Sequence, residues 1–322
     1  MKLAFIIDPI DRLDPGHDST VAMMEAAYLK GHEVWITAID QLHVVEGKAW
    51  AKLQSLRFKP VRLVDGRWEA PSDWYRVEAE AFLPLEVMQA VFMRKDPPAD
   101  AAYFYATFML DYVDPAKTLV INSPDGLRKA NEKMYALQFP SAMPKTQVST
   151  GMSQILKFVE QNGKAVLKPL DGKAGEGILF LEWGDRNLKS MIEISTQRGQ
   201  RPVMLQEYLP AAREGDKRII LLEGEPIGAV NRVPAADEFR GNMAVGGRAD
   251  ATVITPREQE ICAQVGPVVQ RDGLYFVGID VIGGFLTEVN VTSPTGIREI
   301  DRLSDVRLGD QVIEWLERRL LQ

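Results

Sequence analysis

The chain has 322 residues, 46% of them hydrophobic and 26% charged, with a formal net charge of −7. That length predicts two or three domains, and the composition is that of a globular protein with a sizeable core. The acidic balance argues against a nucleic-acid or anionic-membrane surface, and no run approaches the ~18 apolar residues of a transmembrane helix. The opening Met1–Pro9 stretch is too short in apolar residues for a signal peptide, so a cytoplasmic protein is expected. One cysteine, Cys262, and three histidines, all within the first 43 residues, exclude a disulfide framework and a thiolate metal site and offer no ligand spacing for imidazole.

Residues 1 to about 125 read as alternating strand and helix. Leu3–Ile7 is a strand, Ser19–Lys30 a helix capped by Ser19 and stopped by Gly31, and Glu33–Thr37 a strand. Val87–Met93 and Thr118–Asn122 contain later strands, with a helix between them. This is an α/β unit with a mostly parallel sheet. Its strand ends carry Asp8-Pro9 and Arg94-Lys95-Asp96, where open α/β sheets place ligands. Two adjacent cations there suit a carboxylate, or else form a solvated basic corner.

A first boundary is expected near residue 125. Ser123–Arg128 connects to a polar helix bearing Asn131, Glu132 and Lys133. A small α+β lobe follows. Ala165–Leu170 is an apolar strand interrupted by Lys168, and Ile178–Leu181 is a second strand. Between them lies a loop with Gly172, Gly175 and Gly177, which can curl backbone N–H groups around an anion. No helix follows it, so it is neither a Walker A loop nor a dinucleotide fingerprint. A plain glycine hairpin is the competing reading.

Met204–Pro210 ends a strand and reads as a hinge. Asp216–Leu222 and Pro226–Val230 form a hairpin about Glu223–Glu225. Val233–Arg248 is the longest stretch without periodicity, and it carries Arg240, Arg248 and several glycines. It reads as a lid or as a disordered loop. The helix that opens at Thr255-Pro256-Arg257-Glu258 has a capping box, and Cys262 lies beside its apolar stripe as a packing residue. Leu308–Leu320 shows a helical apolar stripe.

Gly278–Asn290 reads as two short apolar strands around Gly283-Gly284, interrupted by Asp280, Glu288 and Asn290. Buried carboxylates must be paired or hold a cation. Two carboxylates and an amide without His or Cys form a hard-oxygen set suited to Mg²⁺. Side chains alternate along a strand, so a plain two-residue turn would set Asp280 opposite Thr287 and send Glu288 to the other face. Sharing one site requires Asp280 opposite Glu288, through an odd-length loop or a bulge.

The order of these parts resembles the ATP-grasp ligases. The segments Asp8-Pro9-Ile10, Met93–Pro98, Asn131-Glu132-Lys133, Leu167–Gly172, Gly215–Arg218, Arg240-Gly241-Asn242, Gly246-Gly247-Arg248 and Asn290–Ile300 are similar to those of the bacterial glutathione synthetase family. The resemblance implies an N-terminal open parallel-sheet domain (residues 1–125) followed by a two-lobed ATP-grasp fold. Its central lobe would span 126–203 and its C-terminal lobe 204–322, with a lid at 233–248. It implies ATP-dependent ligation of γ-glutamylcysteine with glycine, with Mg²⁺ and possible use of Mn²⁺, in a homotetramer.

By the same resemblance Lys133 and Lys168 contact the ATP phosphates beneath the Gly172–Gly177 loop. Glu207, Tyr208 and Leu209 hold adenine, and Asp216 lies near the ribose. Asp280, Glu288 and Asn290 hold the metal. Arg94, Arg218, Arg240, Ser293 and Thr295 serve the dipeptide and glycine, and Lys168, Arg218 and Arg240 neutralise charge in the transferring phosphoryl group. Ala174 and Gly296 stand where some relatives carry glycine and cysteine. Another ATP-grasp carboxylate–amine ligase, or a non-catalytic ATP-binding regulator, would share the nucleotide half.

Overall fold

The computed structural model describes residues 1–172, 175–235 and 246–321. Three sheets frame it. The first is built on β1 (Lys2–Ile6), β2 (Glu33–Thr37), β3 (Leu42–Val45), β4 (Lys48–Phe58), β7 (Tyr75–Pro84), β8 (Ala90–Met93) and β9 (Leu119–Ile121), while β5 (Arg62–Val64) and β6 (Arg67–Glu69) lie outside it. In it β2, β1, β8 and β9 run parallel in that order, with α1 (Ser19–Leu29) and α2 (Ala101–Leu110) between strands.

Simple strand–helix alternation is not what residues 42–84 form. They fold back antiparallel: β4 pairs β2, β3 and β7, while β5 and β6 make a separate hairpin. The cause is local. Glu46 and Gly47 both adopt positive φ, which gives the two-residue turn whose twist matches a hairpin. Along β4, Ala49, Ala51 and Leu53 are buried and alternate with Lys52 and Gln54.

The cap of α1 also differs from expectation. Asp18 holds it, with Oδ1 accepting from Thr20 N at 2.6 Å and Val21 N at 3.0 Å. Ser19 is the first helical residue, and its hydroxyl accepts instead from Gly296 N and Ile297 N, each at 3.1 Å. Likewise α3 (Pro124–Lys129) ends before Asn131–Lys133, which lie on the turn leading into a short 3-10 segment.

The second sheet comprises β10 (Thr146–Ser149), β11 (Lys164–Pro169), β12 (Leu179–Glu182) and β13 (Val203–Glu207), all antiparallel, backed by α4 (Met152–Asn162) and α5 (Leu188–Ser195). It has its own core, centred on Ile155, Val159, Leu167, Leu181, Ile192 and Leu205. The third sheet orders β14 (Asp216–Leu222), β15 (Glu225–Val233), β16 (Arg248–Ala251), β17 (Phe276–Ile282) and β18 (Phe285–Asn290) as β16-β15-β14-β17-β18.

Helices α6 (Pro256–Arg271), α7 (Ile297–Ser304) and α8 (Leu308–Leu320) complete the chain. α8 has the bounds read from its stripe, and α6 opens with the Thr255–Glu258 capping box. Cys262 is buried, and burial pushes its thiol up to about 12. The first and third sheets share cores: Val91 and Met93 cluster with Ile279 and Val289, and Phe5 and Phe92 with Ile220 and Phe276. Tyr135, Phe139 and Met143 belong to that shared core. Among the described residues no helix is long and apolar enough to cross a membrane.

Candidate active site

The second and third sheets face each other across a cavity of about 370 Å³. One wall begins at the β17–β18 hairpin. Gly283 and Gly284 have φ of 55° and 80°, and the turn is the tight two-residue form, with Ile282 opposite Phe285 and Val281 opposite Leu286. The register then shifts, and Asp280 faces Glu288. The extra residue is Thr287, so a bulge carries both carboxylates to one face. Asn290 lies two residues on, opposite Gly278, and donates to Asp280 Oδ2 at 3.2 Å.

Asp280 sits between two guanidiniums. Arg218 grips it with Nε and Nη2, the latter at 3.0 Å, and Arg232 Nη2 reaches Oδ1 at 3.0 Å. Burial alone would raise its pKa, yet the two arginines hold it far below the usual carboxylate range. Arg232 also bonds Asp216 Oδ2 at 2.7 Å, while Asp216 Oδ1 is buried without a partner among the described residues. That carboxyl is pushed up by burial, although Arg232 pulls the other way.

Glu288 pairs with Lys133 at 3.0 Å, and Lys133 Nζ also donates to Gly172 O at 2.7 Å. Burial works against the Lys133 ammonium, but Glu288 keeps it above its ordinary value. Glu288 Oε2 and Asn290 Oδ1 have no bond from any described residue. These oxygens fit a hard divalent cation. Asp280 joins them only by exchanging an arginine contact. Among the described residues no group of three His, Cys, Asp or Glu is placed to hold a metal ion, so such a site rests on acids and an amide together.

Across the cavity, Lys168 projects from β11. Among the described residues none hydrogen-bonds or ion-pairs with its ammonium. Burial pushes it below its ordinary value, partly opposed by Glu288 and Asp216. An unpaired, part-desolvated cation facing a cleft is an anion site in waiting.

Gly172 and Gly175 line the same space; Gly177 does not. A Cβ on Gly172 would meet Glu176 O at 2.8 Å, so only glycine closes that loop. Lys173 and Ala174 lie outside the described residues. Beyond β13, Glu207, Tyr208 and Leu209 line an apolar slot with Val166, Ile178 and Ile282. Its geometry is fixed by Glu207 N on Lys145 O at 3.0 Å and Tyr208 N on Lys164 O at 3.2 Å.

Ser293 and Thr295 line the opposite end, and Thr295 O accepts from Arg218 Nη1 at 3.1 Å. Arg94 does not line the cavity. It is buried behind the wall, with Nε on Thr20 Oγ1 and Nη2 on Pro294 O, both at 3.0 Å. It therefore shapes the Ser293–Thr295 segment. Arg240, like residues 236–245 of the expected lid, lies outside the described residues.

Sequence reasoning missed Arg232, Glu132, and the His17–Glu299 pair. Arg232 faces Asp216 only because the pairing shifts by one residue between Ile220 and Leu221; an unbroken hairpin at Glu223–Gly224 would have set Asn231 there. Glu132 fixes the strand exit by accepting from Val291 N, Thr292 N and Thr292 Oγ1 at 2.8–3.0 Å. His17 and Glu299 are 282 positions apart, and no sequence signal joins them.

Comparison with known proteins adds the following. Residues 1–128 match the prokaryotic glutathione synthetase N-terminal domain, and residues 132–305 match the prokaryotic glutathione synthetase ATP-grasp domain. The chain is 66% identical to the glutathione synthetase of Thermosynechococcus vestitus over 316 residues, covering 98% of this chain and 99% of that one. It is 64% identical to the glutathione synthetase of Synechocystis sp. over 319 residues, 99% and 100% of the two chains. Among solved structures, the ATP-grasp ligase PsnB with phosphomimetic precursor, Mg and ADP superposes with a TM-score of 0.62 at 17% identity, over 99% of this chain and 98% of that one. At that identity the likeness is one of fold.

Proposed function

The chain belongs to the prokaryotic glutathione synthetase family, and from that premise we propose that it joins γ-glutamylcysteine to glycine at the cost of ATP, giving glutathione, ADP and phosphate. The observation that carries the reading is the opposition of Lys168, which has no partner among the described residues, to the Lys133–Glu288–Asn290 corner across one cleft. Nucleotide phosphates would lie between them, with the base in the slot at Glu207–Leu209 and a ribose hydroxyl donating to Asp216 Oδ1.

The cysteinyl carboxylate of the dipeptide attacks the γ-phosphorus, and ADP departs with the bridging electron pair. Lys168 and Lys133 hold the phosphoryl oxygens as charge spreads over them. The neutral amine of glycine then adds to the acyl phosphate carbonyl, phosphate leaves, and the amine loses its proton. Glu288 and Asn290, with Asp280 once it releases a guanidinium, would hold Mg²⁺ or Mn²⁺, which supplies further charge neutralisation. Acyl phosphates hydrolyse readily, so water must be kept out; we assign that task to 233–248.

The division at 1–125, 126–203 and 204–322 belongs to the same proposal. The separate core of the second sheet, from Ile155 to Leu205, supports a middle lobe, though β13 carries it past residue 203. A cytoplasmic homotetramer, with no nucleic-acid or membrane partner, completes the reading. Phosphate release that needs γ-glutamylcysteine and glycine together, and is absent with either alone, tests it. Release with a different acceptor and none with glycine would overturn it.

A further inference from the structure

At the end of the cleft away from the nucleotide slot, loops of the first sheet meet the first turn of α7. His17, Asp18, Asp96 and Glu299 line the cavity there. Glu299 is only 8% exposed. Its Oε1 is bonded to His17 Nδ1, while its Oε2 is buried with no partner among the described residues. A carboxylate oxygen left so is costly unless a donor arrives.

The neighbouring cations do not supply one. Arg94 is committed to Thr20 and Pro294 behind the wall, and Lys95 to Asp8 at 3.0 Å and Asp96 O at 2.8 Å. Asp18 uses Oδ1 to cap α1, and burial raises the pKa of Asp96. The floor of this end is therefore acidic and short of donors.

We propose that His17, Asp18, Asp96 and Glu299 form a subsite for a primary ammonium, whose ligand is the free α-ammonium on the γ-glutamyl end of the dipeptide. The assignment rests on the ligase reading above. An ammonium brings three donors and no acceptor, which matches an orphaned Glu299 Oε2 in a cavity that two more carboxylates line. The glycine amine is the wrong occupant. It must be neutral to attack, and a cluster of carboxylates holds an amine protonated. The nucleotide carries no ammonium. His17 is a positioning residue: it fixes Glu299 through Oε1 and leaves Oε2 for the ligand.

The test compares γ-glutamylcysteine with glutarylcysteine, which has hydrogen in place of the ammonium, in the full-length enzyme with ATP, Mg²⁺ and glycine. The wild type should discriminate by about 100-fold in kcat/KM, as loss of a desolvated charge pair implies. In Glu299→Gln the KM for γ-glutamylcysteine should rise by a similar factor with kcat kept. Glutarylcysteine should be used as before, so that the discrimination collapses.

Asp18→Asn, which keeps a capping side chain, should reduce the discrimination in the same sense, and stands in if Glu299→Gln does not fold. Calorimetric titration of the two dipeptides without glycine should give the same ratio. A variant that loses both substrates equally, or whose loss falls on the KM for glycine, overturns the proposal. A wild type inactive on γ-glutamylcysteine, glycine and ATP overturns the ligase reading itself.

Discussion

Lys168 and Lys133 serve one cleft, yet their ammonium groups shift in opposite directions, because only Lys133 has a carboxylate in contact. The two therefore respond differently to removal of charge. Lys168→Ala should lower kcat by about 100- to 1,000-fold and leave the melting temperature unchanged or higher, since it deletes a desolvated cation with no described partner. Glu288→Ala should also abolish turnover, but it strands Lys133 in a buried position and should cost about 3 kcal/mol. Steady-state kinetics beside denaturant melts separate the two; equal stability losses would contradict the pairing.

His17 gives a pH test. Its hydrogen bond to Glu299 raises its pKa above the ordinary 6.5, against some desolvation. The folded state then binds that proton more tightly than the unfolded chain does. The stabilisation is fully present below pH 6.5 and is lost as pH rises through the raised native value. The difference in melting temperature between wild type and His17→Asn should shrink from pH 6 to alkaline pH; a flat difference would remove the ion pair. At this scale Lys168, Glu288 and Asn290 were legible, since a polar side chain interrupting an apolar strand stands out. The role of Arg94 was not, because its sequence neighbours do not reveal that Thr20 and Pro294 would enclose it.

At the scale of elements, the bulge at Thr287 decides whether the site exists. A two-residue turn at Gly283-Gly284 with unbroken pairing would have put the carboxylates on opposite faces. The chain keeps that turn and inserts one residue above it. Sequence reasoning required this register but could not choose between a longer loop and a bulge, because both satisfy the same alternation.

Ser19 shows the opposite case. A serine before an apolar run is a sound cap signal, but Asp18 competes one position earlier and wins. Ser19 is then free to bridge α1 to α7. Ser19→Ala should leave Gly296 N and Ile297 N without an acceptor and cost about 1–3 kcal/mol, measured by urea unfolding. A cost below about 0.5 kcal/mol would mean that the bridge is dispensable.

At the scale of the whole molecule, one sheet carries its own core while the other two share theirs, and the cleft lies between these bodies. A ligand that joins both walls stabilises the folded state by mass action. A non-hydrolysable ATP analogue with Mg²⁺ at about 100 times its Kd should add ~2.7 kcal/mol, which for a chain of this size raises the melting temperature by about 4 °C. Absence of any shift in differential scanning fluorimetry would remove the nucleotide from the cleft.

The sequence by itself determined the α/β opening, the glycine-closed loop after Lys168, the capping box of α6 and the oxygen set of the last hairpin. Each follows from spacing within a dozen residues, where local sterics and alternation govern. Only the tertiary structure decided that Arg218 and Arg232 would clasp Asp280, that Arg94 would stand behind the wall, and that His17 would meet Glu299. Those pairings join residues 48 to 282 positions apart. Only packing, not any local signal, fixes which charges meet once the sheets close.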